Sequence, residues 1–282
     1  VSAGLQCNRV FAPKVKTAVG LGSGIAAYQK HLGVPTRDTA KLLYGAKGRV
    51  IFDKLVALNP KFGVFIYEPG IIQRITPFLA FIRKNNLAQF TPSEVYQRFS
   101  DELGTRTVYR GMALNKEEHI GVLASGMESK FIGEIRSRPT DGGWLARRVL
   151  GNDVTSLLRE RRSANNLFSN PFMSVTDVSM IAAAVAGSYK RTWNNLYIYE
   201  MEIPEVKIVT LTKDEGKLFS YEFAPSGMLK IKDKNGESLG NYRFDDPAVE
   251  SFIFYDIPAS AIKNAWEIPE AAIPGWGDST QN

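Results

Sequence analysis

The hydrophobic positions follow a helical period in the first third of the chain. Residues 25–32 and 50–58 carry apolar side chains at helical spacing, and Gly or Asn-Pro follows each segment. Asp38 begins another helical pattern, which is predicted to be interrupted at Gly45 and again at Gly48. This part of the chain is therefore predicted to be mainly helical.

Proline, glycine and capping residues predict helix boundaries between residues 69 and 104. Pro69-Gly70 predicts a turn, and residues 71–85 predict one buried helix that Pro77 would kink. Because the apolar residues of 71–85 cover more than one face, contact with a membrane or a partner is an open alternative. Thr91-Pro92-Ser93-Glu94 has the spacing of a helix N-cap with a reciprocal Glu, and Gly104 predicts the end of that helix.

Beyond Gly104 the pattern changes to short alternating segments that are typical of strands. Asn115 with Glu118 predicts the start of a helix among them, and residues 178–186 predict a buried helix. Strands are predicted at residues 105–112, 171–176, 196–203, 206–211, 217–223, 229–232 and 251–255. The sequence predicts an α+β fold rich in antiparallel sheet.

The change of pattern also predicts a domain boundary near residues 90–104. Residues 1–100 form the expected helical N-terminal region, to which no motif assigns a role. Residues 101–282 form the expected second domain. With 282 residues and 44% hydrophobic content, the chain is long and apolar enough for a full core.

Few side chains in this sequence are suited to binding a metal or to forming disulfides. Cys7 is the only cysteine, so an internal disulfide framework is excluded. With His31 and His119 as the only histidines, we expect no metal site. His119 is expected to be an exposed residue in the first turn of its helix, and His31 to have a structural role.

The charge balance points only weakly to a partner. The net charge is +6, and it is spread along the chain, so no nucleic-acid partner is expected. No apolar stretch approaches the roughly 20 residues of a membrane-spanning helix, and no signal-peptide pattern is present. The stretch Gly20-Leu21-Gly22-Ser23-Gly24 lacks the strand and third spaced glycine of a dinucleotide-binding loop, so it is interpreted as a turn.

Three distant segments carry residue types that could form one catalytic site. They are Val108-Tyr109-Arg110-Gly111, Phe172-Met173-Ser174-Val175-Thr176, and Glu250 directly before a strand. Their order and spacing resemble the R-S-E, or cholera-toxin-like, class of mono-ADP-ribosyltransferases. The aromatic strand Leu196-Tyr197-Ile198-Tyr199 and the Ile-Pro turn at Ile257-Pro258 are also similar to that class. The resemblance covers roughly residues 100–268.

The resemblance implies a fold and a reaction. The fold would be an ADP-ribosyltransferase-like split antiparallel β-sheet core with flanking helices, preceded by the helical region. NAD would be the co-substrate. Glu250 would stabilise the positive charge that develops on the ribose as the nicotinamide bond breaks. Arg110 would bind a phosphate or ribose, and Ser174 would hold the Glu250 carboxylate in place.

The resemblance also implies a binding pocket for the nicotinamide beside the Ser174 strand. Tyr109 and Tyr189 are the candidates to stack there, and Thr176 would support the strand end. Gly111 is included with Arg110 in the expected cofactor-binding set. No metal takes part in the expected reaction.

The acceptor of the ADP-ribose is left open by one departure from the family. Many members that modify arginine carry Glu or Gln two positions before the catalytic Glu, where this chain has Ala248. Asp245 or Asp246 could substitute, or the acceptor could be another side chain, a nucleobase or water. The expected role is a secreted or translocated bacterial effector or toxin that modifies a host protein in the host cytosol.

Several alternatives stand beside this hypothesis. The chain could be an NAD glycohydrolase, a non-catalytic binding module with the same fold, or, on charge alone, a nucleic-acid binder. Arg110 could be an ordinary strand arginine paired with a surface carboxylate. Ser174 and Thr176 could instead cap a helix that starts near Val178. The basic run Arg159, Arg161 and Arg162 is interpreted as a solvated face.

Overall fold

The computed structural model describes residues 23–129, 172–188, 194–210, 220–223, 229–232, 238–241 and 251–268. It is a mixed fold with helices in its N-terminal part and antiparallel sheets in the rest, as the hydrophobic pattern predicts. The described α-helices are α1 (Ser23–Leu32), α2 (Arg37–Leu58), α3 (Pro69–Gln73), α4 (Ile75–Lys84), α5 (Pro92–Leu103), α6 (Lys116–Ser125) and α7 (Ser179–Ser188). Short 3-10 helices lie at Pro60–Tyr67, Leu87–Gln89, Glu205–Lys207 and Ala259–Ala261.

The described strands pair in antiparallel fashion throughout. They are β1 (Thr105–Leu114), β2 (Met127–Glu128), β3 (Phe172–Val175), β4 (Asn195–Pro204), β5 (Ile208–Thr210), β6 (Ser220–Phe223), β7 (Leu229–Lys232), β8 (Ser238–Asn241), β9 (Ser251–Phe254), β10 (Asp256–Ile257) and β11 (Ile262–Ile268). The sheets have the strand orders β1-β4-β11, β3-β9-β5, β6-β7-β8 and β10-β2.

The predicted N-caps are confirmed at atomic detail. Thr91 Oγ1 accepts from the Glu94 backbone N–H at 3.3 Å, and the Glu94 carboxylate accepts from the Thr91 N–H at 2.9 Å. Asn115 and Glu118 form the same reciprocal pair at the start of α6. Helix α5 ends at Gly104, whose φ of 74° suits glycine. These ends form as predicted because their hydrogen bonds are local.

Two predictions about the helices are wrong. Pro69 is the first residue of α3, so Pro69-Gly70 does not form a turn. Residues 71–85 do not form one kinked helix, because the helical conformation is interrupted at Arg74, which separates α3 from α4. Pro77 lies in the first turn of α4, where a missing N–H breaks no intrahelical hydrogen bond, so it causes no kink.

Helix α2 kinks at only one of the two predicted glycines. Gly45 has a φ of 65°, and this backbone conformation bends the helix. Gly48 continues the helix and is buried. A Cβ at Gly48 would lie 2.0 Å from the Ala40 carbonyl oxygen, so the glycine permits close packing across the kink.

Two strand predictions need a small correction of their bounds. Strand β5 begins at Ile208 because Val206 belongs to the 3-10 turn Glu205–Lys207. Strand β9 ends at Phe254, since Tyr255 has a φ of 72° in the left-handed region and interrupts the extended chain. The basic run Arg159, Arg161 and Arg162, which is predicted to be a solvated face, lies outside the described residues.

One hydrophobic cluster joins the N-terminal helices to the β3-β9-β5 sheet. Phe78 of α4 and Phe99 of α5 have ring centroids 5.0 Å apart, and the same cluster includes Phe172 and Phe252 of the sheet. A second cluster lies between the β1-β4-β11 and β3-β9-β5 sheets and includes Val108. The division into residues 1–100 and 101–282 stays a prediction. Within the described ranges, no helix has the length and apolar content needed to cross a membrane.

Candidate functional site

Arg110 lies in the middle of β1 and reaches across to β3. Its Nη1 donates to the Ser174 carbonyl oxygen at 2.6 Å, although the two residues are 64 positions apart in the chain. Both residues are half-buried. The structure therefore brings together the first two of the three predicted segments.

A pair of backbone hydrogen bonds strengthens this junction of β1 and β3. The Tyr109 N–H donates to the Thr176 carbonyl at 2.7 Å, and the Thr176 N–H donates to the Tyr109 carbonyl at 2.9 Å. The Thr176 hydroxyl also accepts from the Val178 N–H at 3.2 Å, just before α7. This bond closes a short turn ahead of the helix, and the capping alternative for Thr176 stays a prediction.

Gly111 lets α7 approach β1 beside the site. A Cβ at Gly111 would lie 1.6 Å from the Ala182 carbonyl oxygen and 3.0 Å from the Ala186 backbone nitrogen. No side chain fits in this space, so the glycine is required by backbone packing. Its described role is to hold α7 against the strand that carries Arg110.

The third predicted segment is represented by the start of β9. Ser251 is buried and lies opposite Val175 of β3 and Thr210 of β5. Glu250, the residue directly before Ser251 in the chain, and Tyr189 both lie outside the described residues. The described part of the third segment therefore pairs with the strand that carries Ser174.

The prediction that His119 is exposed is wrong. Its ring is stacked on Tyr197 with centroids 3.9 Å apart, and only 8% of the residue is accessible. Its Nδ1 lies 2.7 Å from the Tyr199 hydroxyl oxygen. The residue is buried because α6 places this side chain against the aromatic residues of β4. Burial lowers the pKa of His119, and the nearby Glu267 carboxylate partly opposes this shift.

The Tyr199 side chain shares a sheet face with Arg110. The two residues are directly opposite across β1 and β4, and opposed residues of antiparallel strands have their Cβ atoms about 5 Å apart on one face. Burial raises the pKa of Tyr199, so its hydroxyl stays protonated and can donate to His119. Sequence patterns did not predict this buried polar pair, because burial of a helix residue depends on what packs against it.

Arg106 is a further residue at this junction that the sequence motifs do not include. It lies four positions before Arg110 on the same strand, so the two side chains project from the same face. Its guanidinium contacts acidic side chains and Ser251. The signal that could have identified it is a second Arg at an even spacing in an alternating strand.

The described residues contain no group of three or more His, Cys, Asp or Glu side chains that could hold a metal ion. Comparison with protein-family models, with curated proteins and with solved structures finds no match for this chain. The function must therefore be inferred from the geometry and chemistry of the site itself.

Proposed function

We propose that this chain is a mono-ADP-ribosyltransferase that cleaves the nicotinamide–ribose bond of NAD and transfers ADP-ribose to a protein side chain. The contact between Arg110 and Ser174 carries the proposal. These residues were singled out from separate segments of the sequence, and they meet in the structure. The acceptor is the backbone carbonyl of Ser174, so the contact supports the proximity of the two segments and does not involve the serine hydroxyl.

The strand pairing adds independent support. The first two segments are joined by the Tyr109–Thr176 bridge, and Val175 pairs with Ser251, the residue that follows Glu250. The first two segments and the strand that follows Glu250 in the chain thus lie at one junction of two antiparallel sheets. The paired sheets β1-β4-β11 and β3-β9-β5 support the proposed ADP-ribosyltransferase-like split-sheet fold.

The donor set at the junction suits NAD. A guanidinium is permanently charged and donates in a fixed fork, which matches a phosphate or a ribose diol. In the proposal Arg110 binds such a group and is oriented by the Ser174 carbonyl. Tyr109, Thr176 and Gly111 keep this guanidinium and the β3 strand end in register.

In the proposal Glu250 stabilises charge in the transition state, and Ser174 holds the Glu250 carboxylate in place. The Glu250 carboxylate favours the positive charge that appears on the ribose only as the bond to nicotinamide breaks. The Ser174 hydroxyl donates to that carboxylate and limits its rotation. Tyr189 is the further proposed stacking partner for the nicotinamide ring, together with Tyr109.

The setting of the reaction is part of the same proposal. We propose a bacterial effector or toxin, secreted or translocated, that acts on a protein in the host cytosol. Because Ala248 stands where many arginine-modifying enzymes carry Glu or Gln, the acceptor side chain is left open. The alternative activity is that of an NAD glycohydrolase, in which water takes the ADP-ribose.

The test uses NAD labelled on its adenylate half, with and without a eukaryotic cell lysate. The wild type is compared with Glu250→Gln and with the control Glu102→Gln, which changes an exposed carboxylate on α5. Label on a discrete lysate protein, retained by the control and lost with Glu250→Gln, is the expected result.

Two other outcomes would change the conclusion. Release of free ADP-ribose without labelled protein, again dependent on Glu250, would replace the transferase by the glycohydrolase. If NAD is neither bound nor cleaved by the wild type, with lysate present as a source of activators, the proposed function is wrong. Binding of NAD without turnover in all three proteins would identify a non-catalytic binding module.

A further inference from the structure

Arg106 lies where β1, the start of β9 and the segment after β3 meet. Its Nε is 3.1 Å from Glu205 Oε2, its Nη1 is 3.5 Å from Asp177 Oδ2, and its Nη2 is 3.5 Å from the Ser251 hydroxyl oxygen. One guanidinium thus contacts groups from three separate parts of the chain.

The ion pairs of Arg106 are only partly exposed. About a quarter of the Arg106 and Glu205 side chains is accessible, whereas Asp177 is 44% exposed. The Arg106 Nε–H points at no acceptor among the described residues, so its pairing with Glu205 acts through charge and not through a directed hydrogen bond. Such a pair is screened less than a surface pair, and removing Arg106 takes away one of the two guanidinium groups that face Glu205.

The Glu205 carboxylate is also bound by a second arginine, Arg74. Glu205 Oε1 accepts from Arg74 Nη2 at 2.8 Å, and Arg74 Nη1 donates to the Ile208 carbonyl of β5 at 2.7 Å. The chain of contacts therefore runs from the junction of α3 and α4, through Glu205, to Arg106. It connects the N-terminal helices to the first residue of β9.

We infer that Arg106 is a positioning residue, which fixes the start of β9 and thereby the residue on which the reaction depends. This inference rests on the proposed function, in which Glu250 directly precedes Ser251. Arg106 need not touch NAD for this role. It acts by holding Ser251 and by balancing the charges of Glu205 and Asp177 at the same junction.

The experiment compares Arg106→Gln and Arg106→Lys with the wild type in NAD cleavage, with folding checked by circular dichroism. Since a displacement of about 1 Å at a reacting group can cost on the order of 100-fold in rate, we expect kcat to fall at least tenfold in Arg106→Gln. The KM for NAD should change less than twofold. Arg106→Lys should recover part of the rate, because it restores the charge but not the fork.

The matched control is Arg37→Gln. Arg37 pairs with Asp53 at 2.9 Å on the surface, with 62% and 48% of the two side chains exposed. This variant removes an Arg–carboxylate contact far from β9 in the chain, and its kcat should equal that of the wild type.

A double mutant separates positioning from a general structural effect. If Arg106 acts through Glu250, adding Arg106→Gln to Glu250→Gln should lower the residual rate no further. Two independent effects would instead multiply. An Arg106→Gln enzyme with kcat within twofold of the wild type, or a fully multiplicative double mutant, would overturn the inference.

Amide hydrogen exchange tests the role of Arg106 even if the wild type cleaves no NAD. In that case the proposed function fails, and the exchange rates of the backbone amides of residues 251–254 test whether Arg106 fixes the start of β9. Faster exchange there in Arg106→Gln, but not in Arg37→Gln, would support the positioning role. Unchanged exchange would refute it. If Arg106→Gln does not fold, Arg106→Lys is measured by the same criteria.

Discussion

The Arg110 guanidinium donates to the Ser174 carbonyl oxygen at 2.6 Å, which ties the middle of β1 to β3. A charged hydrogen bond of this kind contributes roughly 1.5–3 kcal/mol. It also fixes the direction in which the rest of the guanidinium points. The contact is therefore relevant both to stability and to the proposed binding of NAD.

Replacing Arg110 by Lys should separate these two contributions. Lysine keeps the positive charge but lacks the planar fork, so we expect NAD to bind about tenfold more weakly and NAD cleavage to slow by at least the same factor. Calorimetric titration with NAD and a turnover assay measure the two effects. Arg83→Lys, an exposed arginine at the end of α4, is the control and should behave as the wild type. Unchanged NAD affinity in Arg110→Lys would remove Arg110 from the proposed site.

Gly111→Ala should destabilise the fold, because the added Cβ would collide with the Ala182 carbonyl oxygen. Overpacking of this kind costs about 1–3 kcal/mol, and urea unfolding measures it. Gly121→Ala is a matched control, since nothing lies within 4 Å of its added Cβ and alanine favours a helix. We expect the control to be stabilised by up to about 1 kcal/mol. Equal stability of the two variants would show that α7 does not pack against Gly111 as described.

His119 should make the fold less stable at mildly acidic pH. Its pKa is lowered in the folded protein, so below its ordinary value of about 6.5 the unfolded chain binds more protons than the folded chain. The free energy of unfolding therefore falls as the pH drops from about 6.5 towards the folded-state pKa.

The measurement is urea unfolding between about pH 8 and pH 5, in a window set by the ordinary pKa of histidine. His119→Gln should lose the part of the pH dependence that lies just below the ordinary pKa. His31→Gln, a change at the other histidine of the chain, should retain it. If the two variants have the same pH profile as the wild type, His119 does not titrate as its burial implies.

Tyr255→Phe should be destabilising by about 1–2 kcal/mol, because its hydroxyl donates to the buried Tyr67 carbonyl at 2.8 Å. Tyr96→Phe is the paired test. The Tyr96 hydroxyl is buried with no hydrogen-bond partner among the described residues, so its removal should be neutral or slightly stabilising. Thermal and urea unfolding of both variants check this difference. A larger loss in Tyr96→Phe than in Tyr255→Phe would contradict the described hydrogen bonds.

Much of the fold could be predicted from the sequence where the interactions are local. The Thr91–Glu94 capping pair closes within four residues, and the alternation of residues 105–112 lies within one strand. These patterns need no knowledge of the rest of the chain. The positive φ of Gly104 is also a local property, because a residue without a Cβ adopts this backbone conformation without a steric clash.

The local patterns failed where distant packing decided the outcome. The helix is interrupted at Arg74, and the Arg74 side chain binds Glu205 and the Ile208 carbonyl, which are more than 100 residues away in the chain. His119 has the polar character of an exposed residue, yet α6 lies against Tyr197 and buries it. Neither the interruption at Arg74 nor the burial of His119 can be predicted from helical periodicity and propensity.

For the candidate site, the sequence by itself determined which residue types are present and in what order, namely Arg110, then Ser174 and Thr176, then Glu250. Only the tertiary structure decided that Arg110 meets Ser174 and that Arg106 reaches Ser251. The physical reason is the length scale. Caps and strand alternation arise from contacts within a few residues, whereas a site at the junction of two sheets depends on the register of strands that are far apart in the chain.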